Sequence, residues 1–400
     1  MRQPRVQTGN VMFPRRVARQ FGIWGGAMCA LAFLLSRSAL SQTKPGYAAT
    51  LSDFRPRKEV PGEGFIGSGA CASCHAQKSG SHLQTAMGHA LQRPTESPVL
   101  RSHPRMTFQA GQFSYEIVSD GQQSIYRVTD GEETLSEPIL YVFGNAHLAQ
   151  TYVFRRGGRL RESRVSYYTA IDGLDWTIGD VLNPPPSLEE AAGRDIDGDE
   201  ARNCFSCHGT AALVNGKLQL DHMIPGATCE ACHGPGERHS LAKLLETGED
   251  STIFNPKGLE PEMLSQEFCG ACHRGVDTVA MMPDLGGISN VRFQPYRLFN
   301  SRGHDPKDAH LVCTACHDPH LDFKQNEAGS DSKCTVCHEP SGAGQTPEKI
   351  QNKGAASKRC SIGRDTCVTC DIPKVELPGA HFKFTDHRIR IVRLKEPYPY

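Results

Sequence analysis

The 400-residue sequence is short of the material from which ordinary cores are built. Only 38% of it is hydrophobic and 7% aromatic, with two tryptophans, which is thin for the two or three domains that this length could hold. Something other than side chains has to fill the interior. Net charge is also missing: 44 Lys plus Arg balance 44 Asp plus Glu, so there is no basic field of the kind that holds nucleic acid, and that class of partner is excluded. Beyond residue 41 no stretch is apolar enough to cross a bilayer. Sixteen cysteines are too few for a scaffold fastened by disulfides alone. The abundance of glycine (39) and proline (26) argues against a helical bundle or a doubly wound sheet and for a loop-rich chain.

What the sequence does have begins at its amino terminus. Residues 1–41 carry Arg2, Arg5, Arg15, Arg16, Arg19 and Arg37 and no acid, followed by an apolar stretch from Phe21 to Leu35. This pattern predicts a cleavable export signal ending at Ala39-Leu40-Ser41. Met12 is an alternative start that gives a signal of more ordinary length. The apolar stretch is shorter than the roughly 20 residues that span a bilayer, so no membrane span is expected after cleavage. Removing the six arginines leaves 38 basic side chains against 44 acidic. Export to the periplasm or the extracellular face puts the cysteines where free thiols rarely persist, so they should be bonded to something.

Twelve of the sixteen cysteines fall in six copies of one word, Cys-x-x-Cys-His. The copies are Cys71-Cys74-His75, Cys204-Cys207-His208, Cys229-Cys232-His233, Cys269-Cys272-His273, Cys313-Cys316-His317 and Cys334-Cys337-His338. This is the attachment word of c-type haem, in which two thiols add to the vinyl groups and the adjacent imidazole ligates iron. One helical turn sets both sulfurs at the porphyrin edge and brings the next residue under the metal. Zinc sites need converging pairs and no histidine after each pair, and a thioredoxin-like pair would occur once rather than six times. Six haem c groups are therefore expected. Their porphyrins would supply the apolar area that the side chains lack.

Eleven histidines lie outside the words, enough to give each iron a second imidazole and a closed, electron-transferring centre. His89, His147, His222, His239, His310 and His320 are the candidates for that second, distal place. His239 opens a predicted helix over 238–246 that Gly248 stops, His320 sits just past His317, and His310 precedes Cys313. Met87 is the methionine best placed to compete, and His89 outranks it.

A seventh word is broken. Cys367-Val368-Thr369-Cys370-Asp371 keeps both thiols but has Asp371 in the ligand position. The favoured reading is a lost haem site, with Cys367 and Cys370 or Cys360 in a disulfide; the alternative is a haem with an odd or vacant face. Asp195-Ile196-Asp197-Gly198-Asp199-Glu200 is read as a solvated acidic loop, because its glycine falls two places early for a calcium-binding EF-hand.

Between the first word and the rest the period changes. Phe113, Tyr115 and Ile117 alternate, as do Tyr126 and Val128, with turn signals at Asp120-Gly121, Asp130-Gly131 and Gly157-Gly158. The expected organisation is a signal over 1–41, a lead-in and first haem segment over 42–105, a small β-rich insert over 106–185, and a haem-rich domain over 186–400. That last part holds five haem sites and the degenerate seventh. The fold class is a multihaem cytochrome c fold of mostly short α-helices and loops packed around covalent haems, with a small antiparallel β module inserted after the first haem.

Several segments beyond the words carry a resemblance: Tyr141 through His147, reading YVFGNAH; Cys229 through Gly236 with Arg238-His239; Cys313 through His320; and His381 through Arg390, reading HFKFTDHRIR. With them the chain resembles exported multihaem c-type cytochromes of the nitrifier tetrahaem cytochrome superfamily, in a branch often joined to tetratricopeptide repeats. The resemblance covers most of the chain after residue 41. It implies a row of haems, with His147, His239 and His320 as second ligands. In that family the last word ends Cys-His-Met-Pro-Lys, whereas here Cys370-Asp371-Ile372-Pro373-Lys374 stands in its place. No tetratricopeptide repeat is visible. The function expected is electron transfer between redox partner proteins whose identity the sequence does not give. The alternative is a multihaem oxidoreductase acting on a small nitrogen or sulfur oxide at an open haem.

Overall fold

The computed structural model describes residues 64–179, 185–196, 198–214, 216–248, 252–281, 287–322, 331, 333–334, 367–390 and 392. The export signal, Cys29, Cys337, His338 and Cys360 lie outside them.

The alternating stretches form strands, and they form more of them than the small insert anticipated. Nine strands make one antiparallel sheet: β1 (Leu91–Gln92), β2 (Arg105–Ala110), β3 (Phe113–Ser119), β4 (Ser124–Thr129), β5 (Thr134–Phe143), β6 (Ala149–Arg156), β7 (Arg159–Tyr168), β8 (Gly173–Trp176) and β9 (Gly193–Asp195). Strands β2 to β8 follow in sequence order, β1 adds to β5, and β9 adds to β7. The sheet thus begins before residue 106 and returns after residue 185. The reason is hydrogen bonding: short end segments that carry no periodic signal satisfy the open ladders of β5 and β7.

The turns follow their chemistry. The Asp120 carboxylate accepts from the backbone N–H groups of Gln122 and Gln123, at 2.9 and 2.8 Å, and Asp130 does the same for Glu132 and Glu133. Gly157 and Gly158 both take positive φ, +55° and +83°, which the tight β6–β7 hairpin demands. In β3 every second residue is buried. These inward side chains join Tyr126, Val128, Tyr152, Phe154 and Val165 in one core. Phe108 of β2 and Tyr115 of β3 both meet the edge of Trp176 in β8, at 5.2 and 5.7 Å between ring centres, so the first and last strands of the path curl toward each other into a near-barrel.

A second core couples the sheet to the haem words. Leu91, Tyr141, Val153 and Leu160 on the sheet pack against Ala201 and Phe205 of the helix Asp199–His208. Phe205 is fully buried and meets the edges of Tyr141 and Phe143, at 5.0 and 5.2 Å. Burying a side chain of that size contributes about 2–3 kcal/mol.

Elsewhere the helices are mostly short. The first helix, Gly67–His82, contains the first word, and His75 breaks its regularity with φ −113° and ψ 41°. The helix ends at His82, where Thr85 turns the chain: its hydroxyl donates to the His82 carbonyl (2.7 Å) and accepts from the Gly88 N–H (3.0 Å). The helix Glu237–Leu244 forms close to the predicted span, and Gly248 follows it with φ +73°. Residues Met263–Cys269 are wound as a π-helix that runs directly into Gly270–His273, so the fourth word sits at a widened turn. Among the described residues no helix is long and apolar enough to cross a membrane.

Candidate haem sites

None of the thirteen described cysteines is in a disulfide, Cys367 and Cys370 included. The thiols of different words neighbour one another. Burial, then the charges of Cys229 and Glu230, push the Cys71 thiol up to about 11, which ties the first word to the third. Cys269 hydrogen-bonds Cys313 and feels Cys232, linking the third, fourth and fifth words. The Cys207 thiol donates to the carbonyl of Ala271, at 3.8 Å, which brings the second word against the fourth. Burial, then Cys367 and Cys316, push Cys334 up to about 11, so the sixth word stands beside the fifth and beside the degenerate seventh. All six words therefore form one connected series.

One carboxylate fastens the first and third words together. Glu230, between the two cysteines of the third word, is 1% exposed and accepts three backbone N–H groups: Ile66 at 2.9 Å, Gly67 at 2.8 Å and Gly236 at 2.8 Å. Gly67 starts the first-word helix, where a negative charge is favoured.

The histidines divide by what their ring nitrogens do. A haem-ligating imidazole needs a bare Nε2, and its Nδ1–H commonly donates to an oxygen that fixes tautomer and orientation. Nδ1 lies 3.0 Å from the Ala90 carbonyl in His208, 2.9 Å from Phe254 in His233 and 3.0 Å from Thr385 in His387. A carbonyl can only accept, so in each ring the proton is on Nδ1 and Nε2 keeps its lone pair. His239 places Nδ1 3.0 Å from the Thr252 hydroxyl, and His320 places it 3.1 Å from the Asp318 carboxylate. By contrast, Nε2 is engaged in His82 by the Ala227 carbonyl (2.8 Å), in His103 by Asp172 (3.0 Å), in His304 by Glu262 (3.1 Å) and in His381 by Asp175 (2.6 Å).

The rings also pair. An iron held between two imidazoles by bonds of about 2 Å puts the ring centres about 6 Å apart. His75 and His239 stand 6.4 Å apart with planes 18° from parallel. His233 and His320 stand 6.2 Å apart at 16°, and His317 and His387 stand 6.1 Å apart at 33°. In each of these three pairs one member ends a haem word and the other does not; His320 also stands 6.4 Å from His82, edge to face at 65°, but the His82 Nε2 is engaged by the Ala227 carbonyl. Burial lowers the basicity of His208, His233, His239, His273, His317 and His387, the last to about 4, so each imidazole is neutral near pH 7, as a ligand must be.

Of the distal candidates, His239 and His320 are thus brought against word histidines. His89 is half-buried with the Gln92 amide 3.0 Å from its Nδ1. His310 is exposed and paired with Asp308 at 2.7 Å, and His147 and His222 are exposed. His387 was not among the candidates. It lies 70 residues from the word it faces, and only its place inside HFKFTDHRIR could have drawn attention to it. Segment YVFGNAH lies against the second word: Phe143 meets the edge of the His208 ring at 5.1 Å, and the Ala90 carbonyl that receives His208 also accepts the Gly144 N–H at 3.0 Å.

The family described as cytochrome c554 and c-prime has a model that matches residues 185–234, the stretch that holds the second and third words. The chain is a multihaem c-type cytochrome. The cytochrome is 23% identical over 186 residues to the multiheme cytochrome MtrA of Shewanella baltica (strain OS185), a match covering 43% of this chain and 46% of that one. The match spans about half the length of that relative. A structural match to the outer cell wall cytochrome OcwA has a TM-score of 0.46 at 15% identity, over 82% of this cytochrome and 80% of that chain.

Proposed function

We propose that the cytochrome passes electrons through six covalent haems, most of them closed by two histidines. Cys71 and Cys74, Cys204 and Cys207, Cys229 and Cys232, Cys269 and Cys272, Cys313 and Cys316, and Cys334 and Cys337 would form the thioethers. His75, His208, His233, His273, His317 and His338 would be the proximal ligands, with His239, His320 and His387 completing the first, third and fifth sites. The observation that carries this reading is the pairing of each of three word histidines with a distant histidine whose Nδ1 is hydrogen-bonded. When bound, haem supplies a one-electron couple. The chain's part is to fix its ligands, bury it and set the series of near neighbours. That series runs from the first word through the third, fourth and fifth to the sixth, with the second joined at the fourth; neighbours this close suit transfer between donor and acceptor proteins on the extracytoplasmic side. Asp371 replaces the ligand of a seventh haem, so none is assigned there.

Electron paramagnetic resonance of the oxidised protein, integrated against its haem content, tests the proposal. Low-spin iron accounting for the whole signal is the expected result. A high-spin component of one iron per chain would mean an open haem face and would turn attention to the reduction of small oxyanions.

A further inference from the structure

His387 reaches its place without help from regular structure. The last hairpin pairs Lys374–Glu376 with Lys383–Thr385, and residues 386–390 belong to no helix or strand. What holds this stretch is a buried ion pair one residue before the histidine. Asp386 is fully buried and Arg297 is 1% exposed. Arg297 Nε donates to Asp386 Oδ1 at 2.8 Å and Nη2 to Oδ2 at 3.0 Å, while Nη1 donates to Asn290 Oδ1 at 3.1 Å. Arg390 Nη1 adds a bond to Oδ2 at 2.6 Å, and the Arg388 N–H one to Oδ1 at 3.1 Å. The Asp386 N–H donates to the Pro373 carbonyl at 2.9 Å. On the far side of the histidine, the Ile389 N–H donates to the Ser301 hydroxyl at 2.9 Å. The helix that carries Arg297, Gln294–Phe299, is itself tied to the fourth word: Gln266 Nε2 donates to the Pro295 carbonyl at 2.7 Å, and the Tyr296 N–H to the Arg274 carbonyl at 3.3 Å.

Buried ion pairs seldom add stability over a well-packed apolar pair; their attested use is to fix one arrangement among several. Here both carboxylate oxygens are occupied twice, and the planar peptide that follows leaves His387 little freedom. We infer that Arg297 and Asp386 are positioning residues, which hold the His387 ring opposite His317 at the separation a shared iron requires. The inference rests on the proposed role of His387 as second ligand to the haem of the fifth word.

The test measures the spin state of the purified, haem-loaded cytochrome by integrated electron paramagnetic resonance, with and without added imidazole. His387→Ala should turn one iron per chain high-spin, and imidazole should restore it; an unchanged spectrum would refute His387 as a ligand. Given that change, Arg297→Met and Asp386→Asn should each turn at least half of the same iron high-spin, with the same rescue by imidazole. Arg297→Lys keeps the charge but not the two-pronged geometry and should behave like Arg297→Met. Where the lone buried charge prevents the protein from accumulating, the double variant Arg297→Met with Asp386→Leu removes both charges of the fully buried pair and is read the same way. Full low-spin content in these variants, beside a high-spin iron in His387→Ala, would overturn the positioning role.

Discussion

Replacing Glu230 by Gln is the sharpest test of how the first and third haem words are joined. The substitution keeps shape and leaves the Cys-x-x-Cys-His pattern intact, since the residue between the cysteines is unconstrained by haem attachment. Of the two carboxylate oxygens, Oε1 accepts from Ile66 and Gly236, and Oε2 accepts from Gly67. A glutamine can preserve the first pair but sets an NH2 group against the Gly67 N–H, so one half-buried donor loses its acceptor. Leaving such a donor unsatisfied costs about 2 kcal/mol, which corresponds to an opening about 30-fold more frequent. Hydrogen exchange of the haem-loaded protein, read by mass spectrometry on fragments covering residues 64–75, should show that acceleration at the start of the first helix. Glu230→Ala removes all three acceptors and should cost about 5 kcal/mol, with protection lost around Gly236 as well. Exchange in Glu230→Gln within about twofold of the parent would refute the argument.

Three further outcomes are expected. Phe205→Ala empties the space between Tyr141 and Phe143 and should destabilise the contact of the second word with the sheet by about 3–5 kcal/mol, measured as faster exchange in β5. Gly193 has φ +143°, and a Cβ there would lie 1.9 Å from the Glu162 carbonyl oxygen; Gly193→Ala should release β9 from β7, seen as lost protection at Arg194 and Asp195 while β3 and β4 keep theirs. Burial raises Tyr167 and Tyr168 from 10 to about 12, with Asp172 adding to the first and Asp175 to the second. The unfolded chain ionises these phenols first, so their contribution is intact below pH 10 and falls away as the pH rises toward 12. Phenolate absorbance that appears at the ordinary tyrosine pH, with the sheet still folded, would contradict this.

The words and the hairpins were legible because each is local. A haem word is five residues of fixed chemistry, and Asp120-Gly121, Asp130-Gly131 and Gly157-Gly158 are turns whose geometry follows from the residues themselves. The full extent of the sheet was not legible: β1 and β9 are two and three residues long and exist only because β5 and β7 offer them open ladders. The histidine pairs divide along the same line. His239 could be singled out because it follows its neighbouring word and opens a helix. His387 could not, since what brings it to His317 is a contact between Arg297 and Asp386 across 89 positions of sequence, and nothing in either local pattern announces it.

The near-barrel has a bearing on how this protein matures. Its core draws only on residues 99–192, and no cysteine lies between Cys74 and Cys204. The strands therefore need no porphyrin to close their interior, and they can assemble while the thiols on either side are still bare. Once formed, they already offer the Ala90 carbonyl and the Tyr141 and Phe143 faces to the second word. Attachment of that haem then becomes the docking of a short helix onto a finished platform, and the remaining segments have a solid wall against which to be laid down in turn.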